Sequence, residues 1–396
     1  MTYDLLSMEI IGAIQDVLGC PNITQPVALH EPYFKDTNAL PYIQDCLDTG
    51  WVSTAGKWVS RFEDELASFT GAKYAIAVTN GTVGLRLALH LVGVQANHEV
   101  LTTPLSFVAT ANAVSHCNAV PHFVDIDPVS LGMDPTSLTR QLQSLAKTYQ
   151  GKVYNKYTGR RISAILPVHV FGHPCNISEI CEVAAQWGLP VVEDSAEALG
   201  SRKSNKHCGL FGSVGVVSFN GNKLITTGGG GALLTDDQTL AERARHLSTT
   251  AKLAHPWAFE HDEIAWNDRM PNINAALGVA QLELIKQRIQ AKRDLAMRYH
   301  SRITRFKDLE IIHEPADCSS NYWLISLRLT HASRHDAMQL RNSLLKIAHS
   351  HNIFIRPVWK PLHQLSIYAS SPRQQVSVTE DQAMRILNLP SSPQLL

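Results

Sequence analysis

The stretch Ser218-Phe219-Asn220-Gly221-Asn222-Lys223-Leu224-Ile225-Thr226-Thr227 places one lysine between an apolar run, Val214 to Phe219, and four consecutive glycines. The apolar run predicts a buried strand that ends just before the lysine. Upstream, Pro190-Val191-Val192-Glu193-Asp194 predicts a second buried strand, which ends in an acid. A Schiff-base lysine and an aspartate that pairs with a pyridinium nitrogen are the groups that pyridoxal 5′-phosphate (PLP) requires. Either residue alone is more typical of a strand end or a helix cap, so the prediction depends on the pair.

Composition excludes several classes of partner. The chain has 396 residues, enough for two domains, and its 35 lysines and arginines balance 35 aspartates and glutamates. This neutral charge argues against a nucleic-acid or anionic-membrane surface. The seven cysteines form no Cys-x-x-Cys pair, which is typical of reduced thiols and not of a metal site. No apolar run reaches the ~18 residues of a membrane span. We therefore expect a cytoplasmic protein with no metal.

Apolar strand patterns alternate with helical patterns through most of the chain. This alternation predicts an α/β fold in which helices cover both faces of a mostly parallel, seven-stranded sheet. We expect an N-terminal helix and arm (1–37), a large PLP-binding domain (38–271), and a linking helix with a small α+β domain (272–396). The seven expected strands are Tyr74 to Val78, Glu99 to Thr102, Pro121 to Val124, Ala164 to His169, Pro190 to Glu193, Val214 to Phe219 and Ala232 to Thr235.

Three residue groups at the ends of expected strands suit the cofactor's phosphate and ring. Thr79-Asn80-Gly81-Thr82-Val83-Gly84 ends a strand and opens a helix, and a helix N-terminus binds phosphate. A plain turn capped by Thr82 is an equally ordinary interpretation of this stretch. Ser218 can add a hydroxyl, and Phe107 can cover the ring.

Two further groups suit the reactive part of the cofactor. Asp194 can hold the ring nitrogen in its protonated form. Glu197 lies three residues later, so it can face the same side and reach the phenolic oxygen, or it can simply stabilise a first helical turn. Lys223 would attach the cofactor and move protons.

With those residues in place, the chain resembles the DegT/StrS-type nucleotide-sugar aminotransferases, which have the aspartate-aminotransferase fold type I. The most specific stretches are Glu193-Asp194-Ser195-Ala196-Glu197, Ser218 to Lys223, and Trp266-Asn267-Asp268-Arg269-Met270-Pro271-Asn272. His30-Glu31-Pro32 and Phe171-Gly172-His173-Pro174 look like the LegC branch, which is associated with 4-amination on the way to legionaminic-type sugars.

The resemblance implies a homodimer whose active sites lie at the subunit interface. It implies that Lys223 is the Schiff-base lysine and that Asn267 reaches the phosphate of the neighbouring subunit's cofactor. Many relatives have glutamine where this chain has Glu197. The cofactor-binding residues that it implies are Gly81, Thr82, Phe107, Asp194, Glu197, Ser218, Lys223 and Asn267.

The activity implied by the family is transfer of an amino group, with glutamate as the expected donor, to a nucleotide-linked 4-keto-6-deoxy (N-acetyl)hexosamine. Two alternatives are a PLP-dependent sugar dehydratase, in which histidine replaces the lysine, and a non-catalytic PLP-binding protein. Lys223 favours transamination over dehydration. Candidate sugar or diphosphate contacts, each also compatible with a packed ring or a solvated polar group, are Trp51, Thr54, His169, Lys252, His255, Trp257 and Arg356.

Overall fold

The structure is a computed structural model that describes residues 3–19 and 25–395. Its helices are α1 (Tyr3–Val17), α2 (Ala39–Thr49), α3 (Lys57–Thr70), α4 (Gly81–Leu91), α5 (Ala109–His116), α6 (Pro135–Leu145), α7 (Ile177–Trp187), α8 (Gln238–Ser248), α9 (Asn272–Leu282), α10 (Ile285–Ile303), α11 (Arg334–Ser350) and α12 (Ser377–Arg385). Its strands are β1 (Tyr74–Val78), β2 (Glu99–Thr102), β3 (Val120–Phe123), β4 (Ala146–Tyr149), β5 (Lys152–Asn155), β6 (Arg161–Leu166), β7 (Val192–Asp194), β8 (Arg202–Lys203), β9 (Lys206–His207), β10 (Val214–Ser218), β11 (Gly231–Thr235), β12 (Leu309–Ile311), β13 (Cys318–Ser319), β14 (Ile325–Leu329), β15 (Arg356–Pro357) and β16 (Ile386–Leu389).

Seven strands form the central sheet in the order β1-β11-β10-β7-β6-β2-β3. Hydrogen-bonded ladders join β1, β11, β10 and β7 on one side, and β6, β2 and β3 on the other. Parallel bridges from Ile165 to Val191 and from Val168 to Asp194 connect the two halves. Only β11 runs antiparallel to its neighbours among these seven. The prediction of an α/β fold with a mostly parallel seven-stranded sheet is confirmed.

Strand β10 shows why helices cover both faces of this sheet. Successive side chains of a strand point to opposite faces, and all five residues of β10 are buried. Val216 packs in one apolar cluster with Leu85 of α4, whereas Val217 packs in another with Phe62 of α3 and Val279 of α9. Such two-sided burial is typical of parallel sheets.

A second, antiparallel sheet lies in the C-terminal part, in the order β12-β14-β16-β15. Its apolar core includes Leu327 and residues of α10 and α11, and α1 from the N-terminus contributes Ile10 and Ile14. The helical pattern after residue 272 is two helices, because α9 ends at Leu282 and α10 begins at Ile285. The break lets α9 pack on the large sheet and α10 on the small one. The domain boundaries at residues 37 and 271 stay predictions.

The topology brings three chain segments to one edge of the large sheet. Strands β7 and β10 are parallel neighbours, so their carboxyl ends, at Asp194 and Ser218, lie side by side. The turn after β1 opens α4 beside Ser218. Ligands of open α/β sheets bind at such an edge. Within the described ranges, no helix combines the length and the apolar character needed to cross a membrane.

Candidate active site

A cavity of about 370 Å³ lies at this edge of the sheet. Its wall contains segments from β7, β10, the start of α4 and the C-terminal part of the chain. The predicted site residues that line it are Gly81, Thr82, Phe107, Asp194, Glu197, Ser218, Lys223 and Arg356.

The amino end of α4 is shaped to receive an anion. Asn80 caps the helix, because its side-chain oxygen accepts a hydrogen bond from the Val83 amide at 2.9 Å. The cap is therefore Asn80 and not Thr82. A Cβ added at Gly81 would lie 3.0 Å from the Ser218 Cβ, a tight contact, so glycine lets the turn approach Ser218 without displacing it. The first amides of a helix lack intrahelical partners and carry positive potential, which suits a phosphate.

Asp194 is a buried carboxylate on the cavity wall, 4 % exposed. One oxygen accepts a hydrogen bond from the Thr110 hydroxyl at 2.7 Å, and the other accepts one from the Ala196 amide at 3.2 Å. Burial raises the pKa of Asp194, while these hydrogen bonds and the Lys223 charge oppose the rise. No ion pair to Asp194 is found in residues 3–19 and 25–395. A cationic ring nitrogen would supply the charge that this carboxylate lacks.

Lys223 projects into the same cavity from the turn after β10. Its amide donates to the Asn220 carbonyl at 2.9 Å, which closes that turn. The side chain is only 13 % exposed, and its amine lies 3.5 Å from a Glu197 carboxylate oxygen. The amine also lies 3.8 Å from the centroid of the Trp323 ring. The structure therefore brings the predicted lysine and both predicted acids to one cavity.

Glu197 is held by the backbone on the far side from the lysine. Its second carboxylate oxygen accepts a hydrogen bond from the Phe171 amide at 2.8 Å. Phe171 has a φ of +57°, a left-handed conformation that directs this amide at the carboxylate. Burial raises the pKa of Glu197 to about 7, against the opposing charge of Lys223. This carboxyl group can therefore exchange a proton near neutral pH.

Phe107 lies on the wall of the cavity before α5 and is 53 % exposed, so its ring is available to cover a flat ligand. Arg356 lies at the cavity from β15 and is exposed. Together, the buried acid, the amine, the aromatic ring and the helix N-terminus have the chemistry that PLP requires. The site therefore fits PLP.

Six predicted site residues do not line the cavity. Trp51 is 58 % exposed and Trp257 is 81 % exposed. Asn267 is exposed and pairs with Thr249 in an isolated antiparallel bridge. The remaining three are Thr54, Lys252 and His255. Within one chain these residues form no common site with Lys223.

His169, a seventh, has a structural environment where we expected a substrate contact. Its ring is fully buried. The Cys175 amide donates to its Nδ1 at 3.2 Å, so Nε2 carries the proton and faces a Glu193 oxygen at 3.0 Å. Glu193 also accepts hydrogen bonds from the amides of Gly209, Phe211 and Gly212. Both ring nitrogens are thus occupied in the core behind β7, which agrees with the packed-ring alternative for His169 and not with a sugar or diphosphate contact.

Trp323 and Trp359 line the cavity and were not expected from the sequence. The apolar pattern of the sequence predicts a strand from Tyr322 to Leu329, but β14 begins only at Ile325. Tyr322 has a φ of +47°, which no strand residue adopts, and this turn directs the chain back to the large sheet. The only sequence signal is the aromatic pair Tyr322-Trp323 after two polar residues, which does not specify a distant contact.

One cluster outside the cavity has the residue types of a metal site. His246, Asp262 and Glu263 place ligand atoms within 4.8 Å of one another. Both oxygens of Glu263 are bound by Arg243, and His246 Nε2 lies 2.7 Å from Asp262. We interpret the cluster as a partly exposed ion-pair network.

The fold and the cavity define a PLP-dependent aminotransferase of fold type I. Residues 34–396 match the model of the DegT/DnrJ/EryC1/StrS aminotransferase family, and the chain belongs to that family. PLP is its cofactor, and its substrates are nucleotide sugars.

The chain is 36 % identical over 354 residues to the GDP-perosamine synthase of Escherichia coli O157:H7, which covers 89 % of this chain and 90 % of that protein. The aminotransferase TlmJ from Streptoalloteichus hindustanus is a structural neighbour with a TM-score of 0.81 and 28 % identity, covering 92 % and 93 % of the two chains. PseC of Helicobacter pylori, an aminotransferase involved in the biosynthesis of pseudoaminic acid, has a TM-score of 0.80 and 26 % identity, covering 92 % and 94 %. Placement in the LegC branch stays a prediction.

Proposed function

We propose that this chain transfers an amino group from glutamate to the C4 carbonyl of a nucleotide-linked 4-keto-6-deoxy (N-acetyl)hexosamine. The product is a 4-amino sugar for legionaminic-type or other cell-surface glycans. The observation that carries the proposal is the grouping of the Lys223 amine, the Asp194 carboxylate and the amino end of α4 around one cavity. The names of the relatives, a GDP-perosamine synthase and a pseudoaminic acid aminotransferase, support an amino sugar product.

In this proposal each of the cavity residues binds a different part of PLP. Lys223 attaches the cofactor, Asp194 pairs with the ring nitrogen, and Phe107 covers the ring. The amides at Gly81 and Thr82 with the Ser218 hydroxyl hold the phosphate. When bound, PLP supplies an electron sink for the negative charge that develops at the donor's α-carbon.

Lys223 has two tasks in the proposed reaction. Once the amino donor has displaced it, the neutral amine would be the base that removes the proton from the α-carbon of glutamate, and the resulting ammonium would be the acid that returns a proton. Glu197, 3.5 Å away, lies close enough to stabilise the ammonium form. Both side chains are mostly buried, which limits the access of water to the proton transfer.

The proposal includes a homodimer in which each chain completes the other's site. The exposed residues Asn267 and Trp257 do not line the cavity that contains Lys223. We assign Asn267 to the partner's cofactor phosphate, and Trp51, Thr54, Lys252, His255 and Trp257 to the sugar nucleotide. Placement in the LegC branch and in the cytoplasm belongs to the same proposal.

The absorption spectrum of the purified full chain, before and after addition of glutamate, tests the first half of the reaction. We expect a visible band of lysine-bound PLP that glutamate converts to the pyridoxamine phosphate spectrum. A panel of GDP-, UDP- and dTDP-linked 4-keto sugars then tests the second half, with mass spectrometry of the product. A PLP band that no amino donor changes would contradict the proposal and favour a non-catalytic PLP-binding protein.

A further inference from the structure

Trp323 is the aromatic residue closest to the reactive lysine in the contacts of the described chain. The Lys223 amine lies 3.8 Å from the centroid of its ring, well inside the range of a cation–π contact. Trp323 is 4 % exposed and lines the cavity. It enters from the C-terminal part of the chain, whereas Glu197, which also contacts the amine, follows β7 of the large sheet.

Three hydrogen bonds fix the position of Trp323. Its indole N–H donates to the Asn222 carbonyl at 2.8 Å, next to the lysine itself. Its amide donates to the Asn321 side chain at 2.7 Å, and its carbonyl accepts from the Lys292 amine at 3.0 Å. The ring face is therefore held beside the lysine amine before any ligand binds.

Asn321 connects this tryptophan to the acid on the other side of the lysine. The same side chain that accepts from the Trp323 amide donates to the Glu197 and Leu199 carbonyls, each at 2.9 Å. A Cβ at Gly172 would lie 1.9 Å from the Asn321 oxygen, so glycine is required there for the connection to form. One side chain thus links the backbone of Trp323 to the backbone of Glu197, the two residues whose side chains contact the amine.

We infer that Trp323 is a positioning residue for Lys223: its ring face stabilises the ammonium form of the lysine and holds it beside Glu197. The inference rests on the proposed function, because it assumes that Lys223 is the lysine that attaches PLP. Its consequence is a pH dependence. The amine attacks the PLP aldehyde carbon only as the neutral base, forming a C=N bond with loss of one water. A group that stabilises the ammonium form therefore raises the pH at which half of the chains become attached to PLP.

Among the described residues, we name four titratable or charged groups that lie near Lys223. Glu197 is in contact with the amine, and Asp194 and Arg356 lie on the same cavity. His30, from the N-terminal segment, is buried with both ring nitrogens unpartnered. Burial, with the charges of Lys292, Lys223 and Arg288, holds the pKa of His30 well below its usual range, so this ring stays neutral. A substitution at Trp323 replaces none of these four residues. A difference in PLP attachment between wild type and variant is therefore assigned to the tryptophan ring.

The test measures covalent attachment of PLP at a series of pH values. Cofactor-free full chain is mixed with PLP, the linkage is reduced with borohydride, and peptide mass mapping quantifies the label on Lys223. Trp323→Leu is expected to move the midpoint of labelling to lower pH by roughly one unit. Trp323→Phe keeps a ring without the indole N–H and is expected to shift the midpoint by a smaller amount. Trp359→Phe, on the same cavity but stacked on Phe171, is the matched control and should leave the midpoint in place.

The outcomes separate the inference from the proposed function. Label on Lys223 with the same midpoint in wild type and Trp323→Leu overturns the inference alone. Label on another lysine, or none, in the wild type overturns the proposed function and the inference together. Where Trp323→Leu loses its folded circular dichroism, the comparison of Trp323→Phe with Trp359→Phe decides, and equal midpoints in those two variants also overturn the inference.

Discussion

The wall of the cavity and the surface segment of residues 251–265 differ in the burial and in the polarity of their side chains. On the wall, Asp194 and Glu197 are charged or polar yet 4 % and 6 % exposed, and each accepts hydrogen bonds. On the surface segment, Trp257 and Ile264 are apolar yet 81 % and 96 % exposed. The polar groups of the cavity wall are hydrogen-bonded within the chain. The surface segment exposes apolar side chains, which is typical of interaction surfaces. In the proposed homodimer, most contacts to the cofactor therefore come from the cavity of one chain, and the remaining contacts come from the exposed surface of the second chain.

Lys223→Ala tests the cavity side of this comparison with the largest expected effect. Loss of the amine removes both the attachment point and the proton carrier, so amino transfer should fall by at least about 10²-fold. The visible band of lysine-bound PLP should also be missing from its spectrum. Lys286→Ala, an exposed lysine of α10, is the control and should keep both. Near-normal transfer by Lys223→Ala would remove Lys223 from the mechanism.

Asp194→Asn keeps the shape of the side chain but removes the anion. A hydrogen bond to a charged group contributes about 1.5–3 kcal/mol, so PLP affinity should fall by roughly 10- to 100-fold. Equilibrium titration of the cofactor-free chain with PLP measures the change. Asp134→Asn is the control, because Asn caps α6 as well as Asp does. Equal PLP affinity in Asp194→Asn and wild type would show that the ring nitrogen has another partner.

Glu197→Gln is expected to change the pH dependence of stability. The pKa of Glu197 is raised from 4.5 to about 7, so between those values the folded chain holds a proton that the unfolded chain has released. The free energy of unfolding therefore falls as pH rises through this window, by at most about 3 kcal/mol. Denaturant unfolding of the cofactor-free protein across the window should show a flatter dependence in Glu197→Gln. A slope equal to that of the wild type would mean that Glu197 titrates normally.

Trp257→Ala, on the surface segment, is expected to have the smallest effect on PLP binding in the cavity. An exposed side chain contributes little to folding, so the free energy of unfolding of the separated chain should change by less than about 0.5 kcal/mol. PLP attachment should also persist, whereas association of two chains should weaken. Light scattering over a dilution series measures the association. An unweakened dimer would mean that Trp257 lies outside the contact between chains.

Sequence patterns predicted the parts of the site that lie at strand ends. The strand containing Val214 to Ser218 carries its own burial signal, and the residue that follows it in the chain must emerge at the sheet edge. The same argument applies to Asp194 at the end of β7 and to the turn at Gly81. Local sequence therefore fixes which groups come together on the large sheet, because neighbouring parallel strands share one carboxyl edge.

The positions of His169 and Trp323 depend on backbone conformations that local patterns do not specify. Phe171 and Tyr322 both adopt positive φ, at +57° and +47°, although neither is glycine or asparagine. Each is held there by tertiary contacts, such as the Glu197 carboxylate that binds the Phe171 amide. A strand pattern continued through Tyr322 gives the wrong element, which is why the turn that brings Trp323 to the cavity was not predicted.

The buried amine of Lys292 has a further consequence for how this protein is handled in the laboratory. It donates hydrogen bonds to the carbonyls of both Trp323 and Ser391, so one side chain links the tryptophan beside Lys223 to the C-terminal segment. A deletion that removes Ser391 would leave that amine short of a partner in a fully buried position. A C-terminal truncation before Ser391 is therefore expected to disturb the surroundings of Lys223, although the two residues are far apart in the sequence.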